Sequence, residues 1–148
     1  MSKLQLLRNG LMTFLLFGSM IIWKPAEALS ASFIVIANDS VVESSLSKKE
    51  LQSIYLGEKI KWENKKYVKI SVLEDSSIFK DFLQSIVGKT PSQFDQHWVR
   101  MVTTGKASMP PTFTEAKQVI EFVAGHPNSI GFIPAGKVDR SVKIITIK

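Results

Sequence analysis

The chain has 148 residues, 45% of them hydrophobic, with 19 Lys and Arg against 13 Asp and Glu and no cysteine. That length holds a single hydrophobic core, and the missing cysteines exclude disulfides and a lipid-attachment thiol. The net charge of +6 suits an anionic ligand or an acidic partner, and it serves solubility equally.

Residues 1–28 have the layout of a secretory signal peptide. Lys3 and Arg8 make a positive start, residues 11–23 are apolar and uncharged, and Ala26-Glu27-Ala28 is a small-x-small cleavage site. The apolar run of 13 residues is short for a bilayer, which disfavours the rival reading of an uncleaved anchor. A mature domain is expected over residues 29–148, with 16 basic and 12 acidic residues and a net charge of +4. Its expected location is periplasmic or otherwise secreted.

Residues 33–37 (FIVIA) are a short apolar run with β-branched residues, the mark of a buried strand, and Asn38-Asp39-Ser40 breaks it. Ser47 and Glu50 form a capping box that opens a helix, with Leu46 and Leu51 spaced as a hydrophobic staple. Leu51, Ile54 and Tyr55 make its apolar stripe, and Gly57 stands where a left-handed residue ends a helix. Residues 67–73 (YVKISVL) alternate, which predicts one strand with Val68, Ile70 and Val72 on one face. Asp75-Ser76-Ser77 then leads into a second helix, with Phe79, Phe82, Leu83 and Ile86 as its buried stripe and Gly88 as its end.

Thr90, Pro91 and Gln93 open a third helix, with Phe94, His97, Trp98 and Met101 on its apolar face. Residues 103–111 read as a loop rich in Gly, Ser and Pro. Thr112 and Glu115 are spaced as another capping box. They predict a fourth helix with Ala116, Val119, Ile120 and Val123 inward, stopped by Gly125-His126-Pro127. Residues 130–133 and 142–147 read as strands. The alternation of strands and helices places the chain in the α/β class, with a mostly parallel or mixed central sheet flanked by about four helices.

Asp75-Ser76-Ser77 is the leading candidate site. It follows a strand and precedes a helix, where free N–H groups, the helix dipole and serine hydroxyls together favour an anion. The competing reading is that these residues cap their own helix, and a capping Asp75 would repel an anion. Thr104, Gly105 and Lys106 lie in a loop whose hydroxyls and lysine could close over an anion, against the plainer reading of a solvent-exposed connection. Asn38 and Ser40 follow the first strand as further candidates, although Asn-Asp-Ser also makes an ordinary turn. Residues 59–69 hold five lysines interleaved with Trp62 and Tyr67. Such mixing occurs in single-strand nucleic-acid binders, but a hairpin-like connection with Trp62 on the core explains it better, and no nucleic acid is expected.

His97 and His126, the only histidines, stand 29 positions apart, and no cysteine joins them, so no metal site is expected. There is no Gly-x-Ser-x-Gly elbow, P-loop or His-Glu-x-x-His. Glu74 and Asp75 are adjacent and would point apart on a strand, so they make no acid–base pair. No catalytic residue and no cofactor are expected.

Four segments in order carry a resemblance. They are Leu46-x-x-x-Glu50-Leu51-x-x-Ile54-Tyr55-Leu56-Gly57 with Trp62 five residues on, residues 94–100 (FDQHWVR), Thr104-Gly105-Lys106, and residues 123–133 (VAGHPNSIGFI). In this order they resemble the second lobe of phosphate ABC-transporter substrate-binding proteins, over roughly residues 33–134. The match is to one lobe, and the chain is too short to hold two. The resemblance implies one lobe of a periplasmic-binding-protein-like fold. It also implies an Arg-x-x-Ser-Gly-Thr-like phosphate grip at the second helix. Aligned through Phe82, Ser76 matches the serine, Ser77 replaces the glycine, Ile78 the threonine, and the arginine falls near Leu73. The main positive charge is therefore missing. The expectation is weak binding of phosphate or a similar oxyanion, or binding completed by a transporter or envelope protein. The alternative is an envelope protein-interaction module that has lost its small ligand.

Overall fold

A computed structural model describes residues 32–74 and 76–148. The signal-peptide reading of residues 1–28 and the candidate Asp75 lie outside the described residues. In chain order the elements are β1 (Phe33–Ala37), β2 (Ser45–Leu46), α1 (Lys48–Tyr55), β3 (Lys69–Ile70), β4 (Val72–Leu73) and α2 (Ser76–Phe82), which a π-helical turn at Leu83–Val87 continues. There follow α3 (Pro91–Thr103), β5 (Thr112–Phe113), α4 (Ala116–Gly125), β6 (Ser129–Pro134) and β7 (Lys143–Ile147).

Five strands pair in the order β2-β7-β1-β6-β3, and β4 pairs with β5 in a separate parallel ribbon. β1 is antiparallel to both of its neighbours, whereas β2 with β7 and β3 with β6 are parallel, so the sheet is mixed. β6 shows how its two faces are covered. Phe132 stacks on Phe82 of α2 with ring centroids 3.9 Å apart, and Tyr55 of α1 meets both rings edge-on. The adjacent Gly131 points to the other face, where an added Cβ would meet Val119 and Val123 of α4. The fold is therefore a sheet sandwiched between helices, with its core on both sides of β1 and β6.

Local sequence chemistry sets most element ends. The Ser47 hydroxyl accepts from the Glu50 N–H at 3.2 Å, and the Glu50 carboxylate accepts from the Ser47 N–H at 2.9 Å. Thr90 and Gln93 repeat this box at α3, with Pro91 inside the first turn. Leu46 and Leu51, the expected staple, are both buried, and Gly57 and Gly88 end their helices at φ +70°.

Two local expectations need correction, and one element was not expected. The strand expected over residues 67–73 divides at Ser71. Its N–H and hydroxyl both donate to the Ile130 carbonyl, and Val72 then turns to the Pro111 carbonyl and β5. The capping box expected at Thr112 is displaced, because pairing with β4 holds Thr112 in β5. Glu115 starts α4 instead, and its N–H donates to the Gln118 side chain at 3.2 Å. The two-residue strand β2 has no pattern of its own. Its pairing with β7 defines it.

Lys61 and Tyr67 form an antiparallel bridge, while Trp62 is buried and donates from its indole N–H to the Asn128 carbonyl at 2.9 Å. The lysine-rich stretch is thus a hairpin-like connection anchored by Trp62. Among the described residues no helix is long and apolar enough to cross a membrane.

Candidate functional site

β4 and α2 bring the leading candidate residues to one end of the sheet. β3 runs parallel to β6 in the register Ile70 with Ile130. The chain runs on through β4, now paired with β5, so Glu74 lies towards the end of β6 marked by Pro134, which pairs with Phe33. This is the end at which β6 terminates and β1 begins. α2 starts there, with Ser76 as its first residue and Ser77 exposed. Ligands of open α/β sheets bind outside the carboxyl ends of strands, where helix N-termini present free N–H groups.

The charged side chains of the cavity at this end are acidic. A cavity of about 370 Å³ beside the start of α2 is lined by Glu74, Phe79, Phe94, Asp95, Trp98 and Met109 among others, with no Lys or Arg. Glu74 is exposed, and its N–H is held by the Phe113 carbonyl at 2.7 Å. Two carboxylates without a counter-cation oppose an anion placed beside them. The positive charge that the resemblance expects near Leu73 has no replacement here, because Leu73 itself is buried.

The other candidates lie elsewhere. Asn38 follows β1 at the opposite end of the sheet, roughly 13 Å away along the strands. Its amide donates to the Val123 and Ala124 carbonyls at 2.8 and 3.0 Å, and its oxygen accepts from the Ser40 N–H. The Ser40 hydroxyl accepts from the Asn128 N–H at 2.8 Å. Both side chains fasten the turn after β1 to the end of α4 and the start of β6. Thr104 ends α3, where its hydroxyl donates to the Arg100 carbonyl at 2.7 Å, and Gly105 follows at φ +69°. Their hydrogen bonds close the helix end, so the fold does not gather the candidates into a single site.

Both histidines are tied to backbone. His97 donates to the Leu56 carbonyl at 2.8 Å, and His126 donates to the Phe122 carbonyl at 2.7 Å while stacking on the Phe122 ring. No group of three metal-ligating side chains occurs among the described residues. Burial pushes the Tyr55 phenol far up, so it stays neutral and donates to the Ser71 carbonyl at 3.2 Å. The Glu50 carboxyl is lowered from 4.5 to about 2, first by the Ser47 N–H, then by the Ser47 hydroxyl and Lys59.

Sequence reasoning missed a groove of about 510 Å³ at the end of the sheet where β3 begins. The segment after α1, the start of β3, Trp98 of α3, residues 106–111 and Phe122 of α4 enclose it. The one signal pointing to it was the mixing of lysines with Tyr67, which reads equally well as a solvated hairpin.

No protein-family model and no curated protein matches the chain. Solved structures do. An ABC-type phosphate transport receptor from Vibrio cholerae is 20% identical with a TM-score of 0.59, over 78% of this chain and 46% of that one. PstS from Borrelia burgdorferi is 18% identical with a TM-score of 0.59, over 79% of this chain and 47% of that one. A phosphate-binding protein from Stenotrophomonas maltophilia is 14% identical with a TM-score of 0.59, over 80% of this chain and 39% of that one. At this identity the likeness is one of fold. The chain spans less than half the length of these proteins, and its fold is that of a single lobe of such a binding protein.

Proposed function

We propose that this chain is a secreted or periplasmic, non-catalytic binding protein. It takes phosphate or a similar oxyanion weakly at the start of α2, with a transporter or envelope protein covering the ligand's open side. The observation that carries this reading is the position of α2. In a fold shared with phosphate-binding proteins, its first turn opens at the strand ends, with Ser77 exposed there. One lobe supplies half of a closed shell and leaves the ligand partly wet. Glu74 and Asp95 weaken anion binding further. The expected dissociation constant is about 10 µM or weaker, roughly −7 kcal/mol.

Thermal unfolding of the purified protein with millimolar phosphate or sulfate tests this. Ligand at 100 times its dissociation constant adds about 2.7 kcal/mol, several degrees for a domain of this size. A phosphate-specific shift that grows in Glu74→Gln and falls in Ser77→Ala supports the reading. Tight one-to-one binding by the monomer contradicts the need for a partner.

A second reading is favoured by the same two carboxylates: a protein-interaction module whose cleft end no longer holds an anion. Under that reading no anion shifts the transition, and Glu74→Lys/Asp95→Lys abolishes capture of a basic envelope partner.

A further inference from the structure

We propose that the groove at the start of β3 binds a small anionic amphiphile, an apolar body carrying one carboxylate, sulfonate or phosphate head. This groove shares the apolar wall of Trp98, Met109 and Pro110 with the cavity beside the start of α2, but its charged rim is separate, so it does not depend on the oxyanion reading. The groove volume of about 510 Å³ falls within the roughly 300–1,000 Å³ typical of small-molecule sites. Five segments converge on it, so it is a concavity rather than the flat face a protein partner would favour.

Its walls are apolar and wet. Trp98 and Ile54 form the floor, while Ile60, Tyr67 and Met109 stand 54%, 61% and 52% exposed around it. Large apolar side chains gathered round a hollow and left in water mark a surface that a ligand covers. Gly57 helps to make the hollow, because a side chain there would meet the Trp98 ring at 3.2 Å. Lys61 lies over the Tyr67 ring, 4.8 Å from its centroid, and steadies that wall.

The rim sets the sign of the ligand. Lys59, Lys69 and Lys106 line the groove, and no Asp or Glu does. Lys59 is paired with Glu50 at 3.1 Å. Lys69 and Lys106 make no ion pair among the described residues and are exposed. The apolar body therefore lies against Trp98, Ile60 and Met109, and the head pairs with Lys69 and Lys106.

Anilinonaphthalene sulfonate, an aromatic body with one sulfonate, is the first probe. Titrated into the native protein, it is expected to give saturable one-to-one fluorescence. Dodecanoate displaces it, and dodecyltrimethylammonium and inorganic phosphate do not. Lys69→Glu/Lys106→Glu weakens binding at least tenfold, whereas Lys117→Glu/Lys137→Glu, on α4 and the loop after β6, leaves it unchanged. Near-ultraviolet circular dichroism checks that each variant keeps its native packing. If Lys69→Glu/Lys106→Glu fails to fold, Lys69→Gln/Lys106→Gln replaces it, with a smaller loss expected. Non-saturable binding, equal displacement by the cationic amphiphile, or indifference to the lysine changes overturns the proposal. So does binding confined to anionic vesicles or to an acidic peptide, or burial of the groove in a dimer seen by sedimentation.

Discussion

Gly131 lies where β6 passes between Ser71 and α4. An added Cβ would come within 2.6 Å of the Ser71 hydroxyl oxygen and 2.7 Å of a Val119 methyl. Neither neighbour is the free end of a long side chain, so the backbone would have to shift. Gly131→Ala is expected to cost about 3 kcal/mol, measurable as a lower urea midpoint with an unchanged slope. Glu50 makes a different residue-scale prediction. Its carboxyl is depressed from 4.5 to about 2 in the fold by the Ser47 N–H, the Ser47 hydroxyl and Lys59. A depressed acid stabilises the fold above its unfolded value, and the contribution is lost as pH falls from about 4.5 towards 2. The side chain is 44% exposed, so screening keeps the effect near 0.5–1 kcal/mol. Glu50→Gln should be less stable by that amount at pH 7 and equal to the parent near pH 2. A constant difference across that range would sink this account of the cap.

Between elements, aromatic rings do much of the fastening. Phe82 stacks on Phe132 of β6 and meets Phe33 of β1 and Tyr55 of α1 edge-on, at centroid distances of 5.2 and 4.7 Å. α2 and the turn after it are thereby pinned to the sheet, and the start of α2 is held at the strand ends. Phe82→Ala is expected to cost about 3–5 kcal/mol through lost burial and a cavity. The alanine variant should also lose much of the anion response, because the helix start is no longer held, and thermal unfolding with and without phosphate reads both effects. At this scale sequence patterning served well where a single period persisted. The Phe79, Phe82, Leu83 and Ile86 stripe is buried as expected. It failed at residues 67–73 and at Thr112, where β4 leaves β6 to pair with β5. That exchange of partners concerns residues about 40 positions apart, and no local window contains it.

At the scale of the whole molecule, two adjoining hollows carry opposite charge. Carboxylates line the cavity beside the start of α2, and lysines line the groove where β3 begins. The two hollows share Trp98, Met109 and Pro110 as apolar wall but no charged side chain, so substitutions of their charged rims should act nearly independently. Glu74→Gln should leave amphiphile binding unchanged, and Lys69→Glu/Lys106→Glu should leave the phosphate response unchanged. Cross-effects in both directions would show that the two hollows communicate through Trp98 and Met109, which line both.

The sequence by itself determined the class of fold, the caps of α1 and α3, and the buried stripes. Each rests on neighbours within a few positions, such as Ser47 with Glu50 or Thr90 with Gln93. The ordered segments near Tyr55, Trp98 and Gly131 also carried the likeness to a binding-protein lobe, which the solved structures share as a fold. Only the tertiary structure decided where the candidate residues sit. Asn38 and Ser40 read like Ser76 and Ser77 as hydroxyls and amides after a strand. The antiparallel run of β1 against β6 sends them to opposite ends, where Asn38 and Ser40 are bound to backbone. The lysine-rimmed groove left only the mixing of lysines with Tyr67 as a trace in the sequence, because its walls come from five separated segments and exist only once the chain has packed.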